Sequence, residues 1–191
     1  MSTSEPPTDA DWTREQMRRQ DQSRFDQRVA RALRTKSNNF MMPVHWFHVA
    51  SSECREIFCD GHFNGCVCLV QAVAEGLTKF LVEHNPGARG NSKEARIRSL
   101  HSRHVISDTS RDALLLIVGA DRNTFHHLNK DIPTDWEELE RRAEECVGAL
   151  HTVESEIFAY TIAQNGSVAP THPKYWPTDG KFLPVYLRGG F

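Results

Sequence analysis

Apolar side chains near the C-terminal third of the chain fall at Trp136, Leu139, Ala143, Cys146, Leu150, Val153, Ile157 and Tyr160, alternately three and four residues apart. That spacing keeps them on one face of an α-helix and predicts a seam against neighbouring helices. Behind Pro133, Thr134 and Glu137 form a capping-box pattern that predicts where this helix starts. A second apolar series predicts one long helix that opens at Ser51 and Ser52, with Glu53 in its first turn. It continues through Phe58, Val67, Val70, Val73, Leu77 and Leu81 to His84, and closes at Asn85-Pro86-Gly87. Gly61, Gly65 and Gly76 within it lower helix propensity and predict close approach of another helix. A shorter polar helix is expected from Ser92 to His104. Thr109 with Asp112 then reads as a capping box ahead of Ala113 to Val118, a run apolar on every side and therefore expected at the centre.

The N-terminal pattern is thinner. From Asp11, read as an N-cap, to Lys36 only Trp12, Met17, Phe25, Val29 and Leu33 are large and apolar. The predicted fold class is all-α: a four- to five-helix bundle with an N-terminal helical arm and a C-terminal tail rich in proline and aromatics. The expected organisation is disorder over 1–10, a basic helix and connector over 11–50, the bundle over 51–163, and an extension over 164–191. Within that extension 182–187 reads as an edge strand or an extended arm, expected to fold back over the bundle, with exchange into a second subunit as the alternative.

Charge changes the picture only locally. The net charge of -2 exerts no global pull toward nucleic acid. Residues 12–36, however, carry a net +5, against -3 over the first eleven. One reading is a basic arm on which Arg28, Arg31 and Arg34 contact RNA backbone. The other is a solvated helix docked on the bundle or on a partner. The longest uninterrupted apolar run, Ala113 to Val118, is too short for a bilayer, and the polar, acidic start is unlike a secretory signal. A cytoplasmic location with no membrane partner is expected. Cys54, Cys59, Cys66, Cys68 and Cys146 are expected as reduced thiols. Zinc-type Cys-x-x-Cys pairs and Glu-x-x-His pairs are absent, as are phosphate-loop and dinucleotide fingerprints, so neither metal nor cofactor is expected.

Candidate chemistry concentrates in Ala120-Asp121-Arg122-Asn123-Thr124-Phe125-His126-His127. An Arg followed a few residues later by a His means little in a chain with 17 Arg and 10 His, and Arg55 with His62, Arg96 with His101 and Arg98 with His104 also qualify. Requiring Asn directly after the Arg lowers the chance expectation to about 0.04 per spacing. Only Arg122-Asn123 passes.

With that motif and the helix order in hand, residues 50–163 resemble the HEPN superfamily of helical-bundle proteins, many of them ribonucleases. The resemblance rests on several features in order. They are a long first helix with Gly61 followed by Ala72 to Leu77, a short second helix, Arg-Asn-x-x-x-His at Arg122, Asn123 and His127, and a long last helix. It departs from the family in two places. His126 precedes His127, and Asn129 stands where some relatives carry a Tyr modified by a nucleotidyltransferase partner.

Metal-free RNA cleavage needs a base for the 2'-OH, a cation for the phosphorane-like transition state and an acid for the leaving 5'-oxygen. An imidazole with an ordinary pKa near 6.5 serves either proton-transfer role. Arg122 would clamp the phosphate bidentately, Asn123 would orient phosphate or imidazole, and Lys130 would add a backbone contact. On a straight helix Arg122 aligns with His126 and Asn123 with His127, whereas Arg122 and His127 diverge by about 140°. Either the helix distorts within the motif, or His126 is the working residue. The resemblance implies a homodimer that sets two motifs across one cleft. The expected function is a metal-independent endoribonuclease, of the kind found in defence or toxin–antitoxin systems and so paired with an antitoxin or defence-system protein. The alternative is a non-catalytic helical module that binds nucleotide, RNA or a partner protein, in which Arg122 pairs with Asp121, Asp131 or Glu137 to stitch two helices together.

Overall fold

In the first helix, the Thr8 hydroxyl accepts from the backbone N–H of Asp11 at 3.3 Å, and the Asp11 carboxylate accepts from the N–H of Thr8 at 3.1 Å. This reciprocal capping box starts α1 (Asp9–Arg34) at Asp9, so Asp11 is not the N-cap and residues 9 and 10 are helical rather than disordered. The computed structural model describes residues 8–36, 40–42, 45–119, 125, 130, 135–175 and 186–188, with the backbone alone for 45–47 and 186–188.

The single long helix expected from Ser51 to His84 is two helices. α2 (His45–Cys59) begins inside the stretch read as a connector, and α3 (Phe63–Glu83) follows a three-residue turn. The cause is Gly61, whose φ of +83° lies in the left-handed region that side chains resist. Its N–H donates to the Phe58 carbonyl at 3.0 Å and the N–H of His62 donates to that of Ile57 at 2.9 Å, the two bonds of a Schellman cap. The chain then doubles back, bringing Phe58 against Phe63 and the Cys66 thiol to the Cys54 carbonyl.

Ser92 caps α4 (Lys93–Ser102) by accepting from Ala95 N–H at 3.1 Å. Ser107, rather than the expected Thr109, caps α5 (Asp108–Val118) by accepting from Ser110 N–H at 3.1 Å. α5 is also less central than its apolar run predicts. Leu114, Ile117 and Val118 are buried while Leu116 is exposed. Asp135, rather than Thr134, caps α6 (Trp136–Phe158). The predicted seam is present from Leu139 to Ile157: Leu139, Ala143, Cys146, Leu150, Val153 and Ile157 are all buried, whereas its first member, Trp136, faces solvent and its last, Tyr160, lies half-buried beyond the helix end.

α3 is the centre of the bundle, touching α2, α4, α5 and α6, while α1 packs on α2. Ring contacts of Phe63 with Trp136 and Phe80 with Phe158 show that α3 and α6 run the same way. α5 runs opposite to α6, because Ser107 and Ser110 at its start both donate to Glu156 near the end of α6. By length and composition alone α3 would cross a membrane, but here half of its apolar window is packed inside the bundle. The five cysteines are free, and burial pushes the Cys66 thiol well above its ordinary range, which makes it inert as a nucleophile.

Two small antiparallel ladders complete the described chain. Asn165-Gly166, read as the start of a tail, is the turn of a hairpin joining β2 (Tyr160–Ile162) to β3 (Val168–Pro170), with Gly166 at φ +81°. β1 (Phe40–Met42) pairs with β4 (Tyr186–Arg188), so the tail does fold back, onto the segment between α1 and α2. A 3-10 turn at Pro173–Tyr175 lays Tyr175 against Glu156. Burial pushes the Glu156 carboxyl up, and hydrogen bonds from Ser107, Ser110 and Tyr175 overcome it and hold the group below the usual glutamate range.

Candidate functional site

α5 delivers the chain to the motif. Its last turn is pinned to the centre of the bundle by Gln71 of α3, a buried amide whose Nε2 donates to the Ile117 carbonyl at 3.1 Å. Among the described residues the side-chain oxygen of Gln71 has no hydrogen-bond partner. The anchor's trace in the sequence is a polar residue at an otherwise apolar α3 position. Gly119 follows in extended conformation, and an added Cβ there would approach the Leu115 carbonyl to 3.1 Å. Lys79, Lys93 and Arg96 stand around Val118, with Lys93 paired to Glu75. Positive charge beside a helix C-terminus complements its dipole as well as an anionic ligand.

Arg122, Asn123, His126 and His127 lie outside the described residues. Within their span Phe125 is described: its backbone is helical and its side chain is 4% exposed, part of the main hydrophobic core. Lys130 is exposed in a turn, and Asp135 then caps α6. The motif is therefore bracketed on one side by a helix end held at Gln71, on the other by a capped helix start, with a core anchor between.

The basic arm divides into different roles. Arg31 is 6% exposed. Its guanidinium donates to both oxygens of Glu140 on α6, at 3.2 and 3.3 Å, and to the Cys59 carbonyl at 3.2 Å, and it lies 5.0 Å from the Phe63 ring centre. Arg34 also pairs with Glu140, and with Glu144 at 3.2 Å. Burial pushes the Glu140 carboxyl up, but the two arginines hold it below the usual range. Arg31 is thus a docking residue rather than an RNA contact, because its donors are already engaged in a buried pair. Arg34 serves the same dock from a half-exposed position, and Arg28 pairs with Asp60 at 3.1 Å at the surface. Gly61 is needed here a second time, since a Cβ would sit 3.2 Å from an Arg31 guanidinium nitrogen.

Beside this dock lies an open cleft of about 520 Å³ between α1, the α2–α3 turn and the first residue of α6. Arg24, Phe25 and Arg28 form one wall, and His62 and Trp136 belong to the opposite elements. Phe25 is 60% exposed and Trp136 57%. The Trp136 ring is braced at 5.0 Å by Phe63, the ring that also sits beneath Arg31. By sequence Trp136 belongs to the seam, His62 pairs by spacing with Arg55, and nothing in the local pattern brings either to Arg24. Among the described residues no cluster of three metal-binding side chains occurs. No protein-family model, curated protein or solved structure matches this chain.

Proposed function

We propose that this protein is a metal-independent endoribonuclease of HEPN type, acting as a homodimer whose two Arg-Asn-x-x-x-His motifs share a cleft. The observation that carries the reading is the burial of Phe125 between Asn123 and His127, on a segment bracketed by the pinned end of α5 and the capped start of α6. A core side chain within the motif ties that segment to a rigid scaffold, and positioned catalytic groups require such support. Either His126 or His127 supplies the imidazole, and Arg122 clamps the phosphate.

In this mechanism one imidazole accepts the proton of the 2'-OH as that oxygen attacks phosphorus. Arg122 steadies the charge developing on the non-bridging oxygens, and an imidazolium protonates the departing 5'-oxygen. The products are a 2',3'-cyclic phosphate and a 5'-OH. Two copies supply the base, acid and clamp that one motif lacks.

The test is cleavage of structured RNA in EDTA by the wild-type chain and by Arg122→Ala, His127→Ala and His126→Ala. Arg122→Ala and one of the two histidine variants should each lower the rate by about 100-fold or more, and the histidine whose loss does so is the working one. Absence of wild-type cleavage on every RNA tried, or equal rates in the variants, would sink the proposal.

A further inference from the structure

We propose that the cleft between α1 and the α2–α3 turn seats an unpaired nucleobase of a single-stranded RNA, stacked on Trp136 with its neighbouring phosphate on Arg24. The choice of RNA rests on the function proposed above; the choice of place rests on the cleft itself. Its volume of about 520 Å³ suits a nucleotide-sized ligand. Two large aromatic side chains, Phe25 from α1 and Trp136 from α6, line it while remaining more than half exposed. Exposed aromatics beside guanidinium groups are what sequence-tolerant binding of single strands uses, because every base has a π-face and every linkage a charge.

The platform is also pre-organised. Trp136 is the first residue of a helix capped by Asp135, and its ring rests on Phe63, which Arg31 covers. The opposite wall is fixed because the Arg31–Glu140 pair docks α1. Arg28 is occupied by Asp60, whereas Arg24 has no ion pair among the described residues, leaving its guanidinium for a phosphate. Exposed His62 also lines the cleft and offers a ring nitrogen that can donate or accept. On the α1 wall, Asp21 and Gln27 offer an acceptor and an amide to a base edge. Trp136 follows His127 by nine residues, so the cleft is joined to the motif by a short stretch of chain.

The experiment is fluorescence anisotropy with a short labelled single-stranded RNA of mixed sequence. It uses the full chain carrying His126→Ala and His127→Ala so that the probe stays intact. Trp136→Ala should weaken binding about 5- to 150-fold. Trp136→Phe should retain most of it, which separates loss of stacking from loss of packing on Phe63. Arg24→Glu changes an exposed side chain and should both weaken binding and flatten its dependence on salt. Unchanged affinity in Trp136→Ala and Arg24→Glu would overturn the proposal, as would failure of the parent chain to bind. Competition by AMP as strong as by unlabelled RNA would overturn it too, reassigning the cleft to a free nucleotide. Cleavage assays on otherwise wild-type chains separate this from the nuclease proposal. RNA binding that depends on Trp136 without any cleavage supports the cleft and sinks the nuclease. Cleavage indifferent to Trp136 and Arg24, with unchanged affinity, does the reverse.

Discussion

α3 and α1 are the bundle's most apolar long helix and its most polar one, and they are held by different forces. α3 turns Val67, Val70, Val73, Leu77 and Leu81 into the core and touches four other helices. Each such side chain contributes roughly 1.5–3 kcal/mol by leaving water. α1 does the opposite: Trp12, Met17, Phe25, Val29 and Leu33 all face solvent, and its one buried residue is Arg31. The helix is held instead by polar and charged contacts. They are the pairs of Arg31 and Arg34 with Glu140, that of Arg28 with Asp60, and Arg55 of α2 donating to Thr35 at 3.1 Å and to the Ala32 carbonyl at 3.3 Å. Paired charges at an interface cost desolvation that roughly cancels their attraction, so they fix position more than they add stability. The contrast teaches that the bundle can be stable while the arm stays separable from it.

The comparison can be broken at three points. Leu77 is fully buried in α3, and Leu77→Ala should destabilise the whole bundle by about 2–5 kcal/mol in denaturant unfolding. Arg31→Ala should leave that midpoint nearly unmoved while costing about 2 kcal/mol of arm docking, because Glu140 keeps Arg34 as a partner. Tryptic cleavage at the arginines of α1 reads this; protection equal to wild type would show that α1 is held by something other than its guanidiniums. The smallest effect is on pH. Glu140 titrates below the ordinary glutamate range when folded, so its contribution is complete above the unfolded value and lost as pH falls through the folded one. Acid should therefore raise tryptic or exchange sensitivity of α1 before the bundle unfolds, and Glu140→Gln should remove that pH dependence.

The same contrast explains the different legibility of the two regions. The α6 seam was readable because a helix facing one core repeats its apolar residues at helical spacing, and six of the eight positions named are buried. The break at Gly61 was visible as a glycine and misread, because propensity alone does not distinguish a close approach from a left-handed cap. Ser107 and Asp135 won their caps over Thr109 and Thr134 by one or two residues, the usual scatter where several short polar side chains compete for one helix end. The motif from Arg122 to His127 could be singled out by type and spacing, and its bracketing by α5 and α6 was also foreseeable. The anchoring role of Phe125 was not, and that of Gln71 had only one trace, a polar residue at an otherwise apolar α3 position.

The order of helices, the apolar faces that pack them and the composition of the candidate motif are encoded locally, since periodicity and capping act within a few turns. The docking of α1 through Arg31 onto Glu140, 109 residues away, is of another kind. So are the pairing of Phe40–Met42 with Tyr186–Arg188 and the cleft that joins Arg24 and Phe25 to Trp136. Such juxtapositions depend on how whole helices stack, and a charge or an exposed ring leaves no periodic trace of the partner that packing will bring to it.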